Sequence, residues 1–373
     1  MNLKSCLFGH IKNFTPFKNL FPFLFLIFCF FSFSGNLAAQ SLDIPTRHSG
    51  ISFGNSKVFN GLRINFRDNQ VERINGINVT LWSAKENKNA VVNGLSLGLV
   101  APEAAYLKGL SIGVLGVAAE KDLSGIQVGL LGAGAGGNVS GITIGGLGAG
   151  SGGDISGLVI GGLGAGSGGS LKGAILAGLG GGCNGDLTGI AFGGLGFGAQ
   201  GNIRGLAVGL LGVGGGQDIT GITFGGLGAG ASGNMTGLNI GGIGIGAGKD
   251  LSGITFGGVG AGCGNELKGV TICGIGAGAP TIKGVTLAGI AVGGDRISGA
   301  SLALGMIKIQ HDGALKGFAA SAYNQIKGRQ TGVALGVFNY AWQLNGIQIG
   351  LINYVRDNPK YLKVLPLFNA HFK

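Results

Sequence analysis

The chain has 373 residues, a formal net charge of +11, 11% charged residues and a mean hydropathy of +0.45, and 84 of its residues are Gly. Only 7 are Pro, whereas Gly makes up more than a third of the stretch between positions 121 and 300. So little Pro excludes collagen, and the Val, Ile, Leu and Phe threaded through the glycines exclude a Gly/Ser linker and a polar disordered chain.

Residues 1–39 read as a secretory signal. Lys4, Lys12 and Lys18 precede an apolar run from Leu20 to about Phe33, and Ser34-Gly35-Asn36-Leu37-Ala38-Ala39 supplies small residues for cleavage after Ala39. An uncleaved membrane anchor is the alternative, although the run is short for a spanning helix. Cleavage would lower the net charge from +11 to about +8. The surplus bases sit towards the two ends (Arg63, Arg67, Arg73, Lys327, Arg329, Lys360, Lys363), without the clustering with aromatics that a nucleic-acid groove needs.

After an N-terminal segment, 40–58, an apolar–polar–Gly motif begins to recur. Loose copies start at Phe59, Ile74 and Val92, forming N-terminal capping repeats over 59–106. Regular copies follow over 107–300, starting at Leu107, Leu123, Val139, Ile155, Leu171 and onward at a constant step of sixteen, slipping to fifteen at Ile282 and Ile297. Divergent copies at Leu315, Gln330 and Leu344 lead to a C-terminal cap over 301–373, where Gly thins and aromatics rise. About 19 copies cover nearly all of the chain beyond the signal.

One copy reads Val139-Ser-Gly-Ile-Thr-Ile-Gly-Gly-Leu-Gly-Ala-Gly-Ser-Gly-Gly-Asp154. Ile142 and Ile144 alternate with Thr143, which is strand periodicity, and Leu147 heads a further apolar column. Helix is disfavoured because Gly costs about 1 kcal/mol per residue against Ala. Pro102 and Pro280 fall in the turn part of the copy.

These features predict an all-β, Gly-rich parallel β-solenoid of about 19 coils of 15–16 residues, roughly 90 Å long at about 4.8 Å per coil. Stacking makes each column meet itself, which explains why the copies are so alike. The Ile/Val, Ile/Val/Phe and Leu columns are expected to form the core. The column Gln127, Thr143, Val159, Ile175, Ala191, Ala207, Thr223 is expected outside, too irregular for an ice-binding face.

Asp122, Asp154, Asp186, Asp218 and Asp250 recur at every second copy, with Asn138, Ser170, Asn202, Asn234 and Glu266 between them. In a solenoid this alternation keeps like charges about 9.6 Å apart. A unit of two copies would also suit hairpins, so an antiparallel transmembrane β-barrel is the alternative fold. Against it, neither alternating face is polar.

The phrases Gly332-Val-Ala-Leu-Gly336-Val-Phe-Asn339 and Gly346-Ile-Gln-Ile-Gly350-Leu-Ile-Asn353, with the variant Gly125-Ile-Gln-Val-Gly-Leu-Leu-Gly132, carry a G-h-Q-h-G-L-h-N pattern, where h is apolar. It resembles a family of exported bacterial surface-repeat proteins. That resemblance implies a cell-surface or outer-membrane location, with no established activity and no functional residue to carry over.

Chemistry-bearing constellations are few. Gly148–Gly153 and Gly164–Gly169 match G-x-G-x-x-G, but they recur copy after copy with no helix to follow. His48, His311 and His371 are scattered, and His311 beside Asp312 lies at a turn-like Asp-Gly. Cys183 and Cys263 share a column five copies apart, beyond disulfide reach, and Cys273 sits beside a strand column. The Asp column stands at turns beside Gly, away from bases and aromatics. Calcium-binding nonapeptide spacing is absent. No catalytic, cofactor or metal residue is assigned. The expected function is an exported structural or binding element, not an enzyme, of a Gram-negative-type cell surface or outer membrane. No partner is identified; outer-membrane or surface components are the candidates and nucleic acid is not, and for a barrel the role would be transport or scaffolding.

Overall fold

The computed structural model describes residues 41–372, so the expected export signal lies outside the described residues. The chain is an all-β solenoid of about 18 turns with stacked, parallel coils. Coil positions are counted here from the apolar residue of each apolar–polar–Gly motif, so Val139 is position 1 and Asp154 position 16.

A central coil holds a long strand, such as Val139–Gly145, and a short one, such as Gly148–Ser151. Each pairs in parallel, residue for residue, with its equivalent one coil on: Val139 with Ile155, Thr143 with Val159, Ala149 with Ala165. The antiparallel barrel is thereby excluded. The loose copies stack in the expected register, Phe59 on Ile74 on Val92 on Leu107, and Ile297 on Leu315 on Gln330 on Leu344. Register shifts at Gly294/Arg296 and Ile309/Gly313 absorb the uneven spacing. Antiparallel strands close the two ends: Leu42–Thr46 lies against Ser49–Phe53, and Val364–His371 against Phe338–Val355. Ending the stack this way leaves no long parallel edge open.

Gly at position 3 is demanded by the fold. Gly141 has φ +105°, a region that L side chains avoid, and a Cβ there would fall on the carbonyl oxygen of Gly125 one coil earlier. The same holds from Gly61 to Gly346. Gly146, at position 8, would likewise drive a Cβ into the carbonyl oxygen of Leu130.

The core is the reverse of the expected one. Odd positions of the long strand face inward. Position 1 is fully buried coil after coil, as in Leu107, Leu123, Ile155 and Leu187. Position 5, expected outside, is also buried: Gln127, Thr143, Val159, Ile175, Ala191, Ala207 and Thr223 are all at 0% exposure. Ile142 and Leu147, expected inside, are 37% and 50% exposed. A one-residue change of phase flips every side chain of a strand. The reason lies at position 2, which shares its parity with 4 and 6. Turning Ile142 and Ile144 inward would carry Lys172, Arg204 and Lys268 into the interior, at the prohibitive cost of burying unpaired charge. Small residues at positions 7 and 13, and in most coils at 11, such as Gly145, Ser151 and Ala149, keep the interior narrow, with position 1 large in every regular coil and a second large side chain, such as Ile175 or Phe197, only in some.

The interior turns polar at both ends. Arg63, fully buried, pairs with Asp68 at 2.6 Å and donates to Asn78 Oδ1 and Asn55 Oδ1 at 2.7 and 2.8 Å. In the C-terminal coils Asn324 donates to Asn339, and Asn339 to Asn353, each at 2.8 Å. Gln348 donates to Gln330 at 2.8 Å. The Gln and Asn of the G-h-Q-h-G-L-h-N phrase, Gln348, Asn339 and Asn353, are therefore inward residues that bond between coils. Strand pairing traces the Asn column back through Ile307, Val292 and Ala277 to Ala133, not to Gly132, because the corner before it is one residue shorter in the last coils.

Candidate functional site: an apolar flank opposite a polar ladder

With odd positions inside, positions 4, 6 and 9 form three outward columns of aliphatic and aromatic side chains. Position 4 carries Ile126, Ile142, Ile190, Ile222 and Ile254; position 6 carries Leu176, Phe192, Phe224, Phe256 and Ile272. The corner column at position 9 runs through Leu131, Leu147, Leu163, Leu179, Leu195, Leu211 and Leu227, each about half exposed, and on to Ile243, Val259 and Ile275. The columns continue into the last coils, where they flank an open groove of about 810 Å³. Leu287, Leu302, Leu335 and Ile349 form one wall, Leu304, Val337 and Leu351 the other, and Ala288 and Ala303 the floor. No charged side chain lines it. An apolar strip this long exceeds the few hundred Å² that soluble monomers leave exposed.

The corner at positions 14–16 is the opposite in character. Each position-16 side chain accepts a hydrogen bond from the backbone N–H of its counterpart one coil on. Asn138 N–H donates to Asp122 Oδ1 and Asp154 N–H to Asn138 Oδ1, both at 2.8 Å, and Ser170 N–H to Asp154 Oδ1 at 2.7 Å. The ladder runs on through Asp186, Asn202, Asp218, Asn234 and Asp250 to Glu266. Neutral residues add a second bond: Asn202 Nδ2 and Asn234 Nδ2 donate to Asp186 Oδ1 and Asp218 Oδ1 at 3.0 and 3.1 Å. Alternation thus supplies amide donors between carboxylates as well as separating like charges. Asp186 is held below the usual carboxylate range, chiefly by the Asn202 N–H, with the Asn202 side chain and Arg204 at 3.6 Å adding to it. The Asp column expected at turns is here a backbone-satisfying device.

Apart from Cys273, which lies in the column of the groove floor with Ala288 and Ala303, the remaining sequence candidates fall outside both flanks. Gly148–Gly153 forms a short strand and a turn, followed by the strand Ile155–Gly161 and not by a helix that could receive a phosphate. Asp312 takes φ +59° at a register shift, which accounts for its turn-like sequence. Cys183, Cys263 and Cys273 are free thiols facing inward; burial pushes Cys183 up to about 11 and raises the other two. Among the described residues, no group of three His, Cys, Asp or Glu could hold a metal ion, and no helix is long and apolar enough to cross a membrane.

The apolar flank was missed in the sequence because its residues look like core. The signal that could have found it was the shared parity of Ile142 and Ile144 with Lys172 and Arg204. Compared with known proteins, the chain matches no family model, no curated protein and no solved structure.

Proposed function

We propose that this chain is an exported repeat protein of the cell surface or outer membrane, a non-catalytic rod with a structural or binding role. The expected N-terminal signal and the likeness to exported surface-repeat proteins support its location. The observation that carries the binding role is the apolar flank, because exposed aliphatic columns over a rod of roughly 85 Å have no purpose in an isolated soluble molecule. Its working face is this flank, engaging an apolar component of the envelope. The Asp/Asn corner keeps the opposite side wetted.

The test is expression of the full-length chain in a Gram-negative host, followed by fractionation, surface proteolysis and N-terminal sequencing. The chain is expected in the outer-membrane or surface fraction, beginning at Gln40. Recovery from the cytoplasm with an intact N-terminus would end this reading. Replacing Leu147, Leu163, Leu195 and Leu227 by Ser is expected to release the rod from the envelope fraction without unfolding it, since these side chains are about half exposed and lie outside the core.

A further inference from the structure

Beside the apolar flank lies a surface without side chains. The outward positions of the short strand, 10 and 12, are Gly in eleven consecutive coils each, from Gly116 to Gly276 and from Gly134 to Gly293. Unlike Gly141 or Gly146, most of these glycines are not demanded by the coil; only Gly116, Gly150 and Gly182 would put a Cβ within 3.0 Å of a neighbouring carbonyl oxygen. None has a positive φ. A Cβ at Gly148, Gly198 or Gly293 would stand 3.8–4.0 Å from its nearest neighbour, and at Gly214 or Gly246 it would meet nothing within 4 Å. Others are tighter, from 3.7 Å at Gly180 down to 2.8 Å at Gly150, yet none approaches the 1.7–2.2 Å overlaps of positions 3 and 8 at Gly141, Gly146 or Gly258.

The chain supplies its own control. In the last coils the same two columns carry Met306, Tyr323 and Phe338 at position 10, and Lys308, Gln325 and Tyr340 at position 12, all within regular parallel pairing. The rings even pile up, Tyr323 on Phe338 with centroids 5.2 Å apart. The coil therefore accepts large residues there. Gly inside a strand weakens it, and its common use is to let another backbone approach closely.

We infer that this glycine face is a dimer interface, where two copies of the chain pack face to face with their axes antiparallel. Only a surface equally bare can lie flush on it over eleven coils, and a second copy has the same flatness and the same repeat of about 4.8 Å. A strip of about 50 Å by about 13 Å, covered on both copies, buries about 1,300 Å² in total, within the range of specific interfaces. Charge sets the direction. The bare stretch of position 12 is flanked at one end by half-buried Glu103, across Ala118, and at the other by exposed Lys308. A two-fold, antiparallel pair brings each Glu103 towards the partner's Lys308, whereas a parallel pair sets like on like.

The experiment measures the mass of the full-length chain, as purified, by light scattering and sedimentation across a concentration series. The wild type is expected to dimerise. Gly214→Lys with Gly246→Lys is expected to raise the dissociation constant at least a hundred-fold, with circular dichroism unchanged, and with thermal unfolding unchanged at dilutions where both chains are monomeric, because both sites are open within the chain. Lys308→Glu is expected to weaken the dimer, and Glu103→Lys with Lys308→Glu to restore it. A monomeric wild type at tens of micromolar overturns the inference, as does a dimer that survives the double lysine substitution. So does a wild type that stays monomeric but floats with phosphatidylethanolamine vesicles through a face blocked by the same lysines, which would assign the strip to lipid. Cellular location is not read in this experiment, so its failure is distinct from failure of the proposed function.

Discussion

The ring of Phe197 fills the space left by Gly181 one coil earlier: a Cβ at Gly181 would stand 3.1 Å from the ring's Cδ2. Phe197 is 3% exposed, and Ala191 at position 5 of its own coil is correspondingly small. Large and small are thus traded both within a coil, Phe197 with Ala191 and Ile175 with Gly181, and between neighbouring coils. Phe197→Ala is expected to cost about 3–5 kcal/mol. Gly181→Ala should destabilise the wild type by crowding the ring, yet recover part of the loss in the Phe197→Ala background. Denaturant unfolding of the four chains gives the coupling, and additive effects would refute the shared space.

Two glycines of the same coil pattern should respond oppositely to one methyl group. Gly141→Ala imposes φ +105° on a residue with a Cβ and drives that Cβ into the Gly125 carbonyl. Strain of about 1–3 kcal/mol plus the clash should lower the unfolding temperature sharply or open the coil. Gly214→Ala meets nothing within its own chain and restricts the unfolded chain, so in dilute, monomeric protein it should be neutral or stabilise by up to about 1 kcal/mol. Thermal unfolding of both variants checks the contrast.

Stability should fall in acid partly through Asp186. Its folded carboxyl lies below its ordinary range, so its contribution is fully present above the unfolded range near pH 4 and is lost as pH drops through the folded value. Since its side chain is 41% exposed, solvent screening keeps the effect small. Asp186→Asn retains an oxygen for the Asn202 N–H but does not titrate. Unfolding followed from pH 6 to pH 2 should give a flatter profile for this variant than for the wild type. Parallel profiles would remove Asp186 from the account.

The Cys183 thiol, pushed up to about 11 by burial with a minor contribution from Asp186, should be almost wholly protonated at pH 8. Alkylation at that residue, read by peptide mass spectrometry, is expected to be slow in the native chain and fast in denaturant. Equal rates would show that the position-13 column is open to solvent.

Much of the architecture was legible because stacking leaves a period. The constant step from Leu107 onward gives the parallel register directly, and even the uneven starts at Phe59, Leu315 and Leu344 align as read. What the period does not reveal is phase. Ile142 and Ile144 are more apolar than Thr143 and Gly145, and by composition alone they belong inside. The decision is made by residues elsewhere in their columns, Lys172 and Arg204, and by an interior narrowed by Ala149 and Ser151. The glycine face was equally hidden. Gly141, Gly146 and Gly148 look the same in a sequence, and only the position of the neighbouring coil's carbonyl separates the glycines the fold needs from those it does not.

Each coil rests only on the one before and the one after, and every column is continuous across the join. Two coils inserted or removed together therefore leave every other residue in register and keep the Asp/Asn alternation of the ladder intact. Repeats in coding DNA invite unequal crossing-over, so the reach of the molecule is a quantity that inheritance can adjust in even increments, without disturbing how the rest is built.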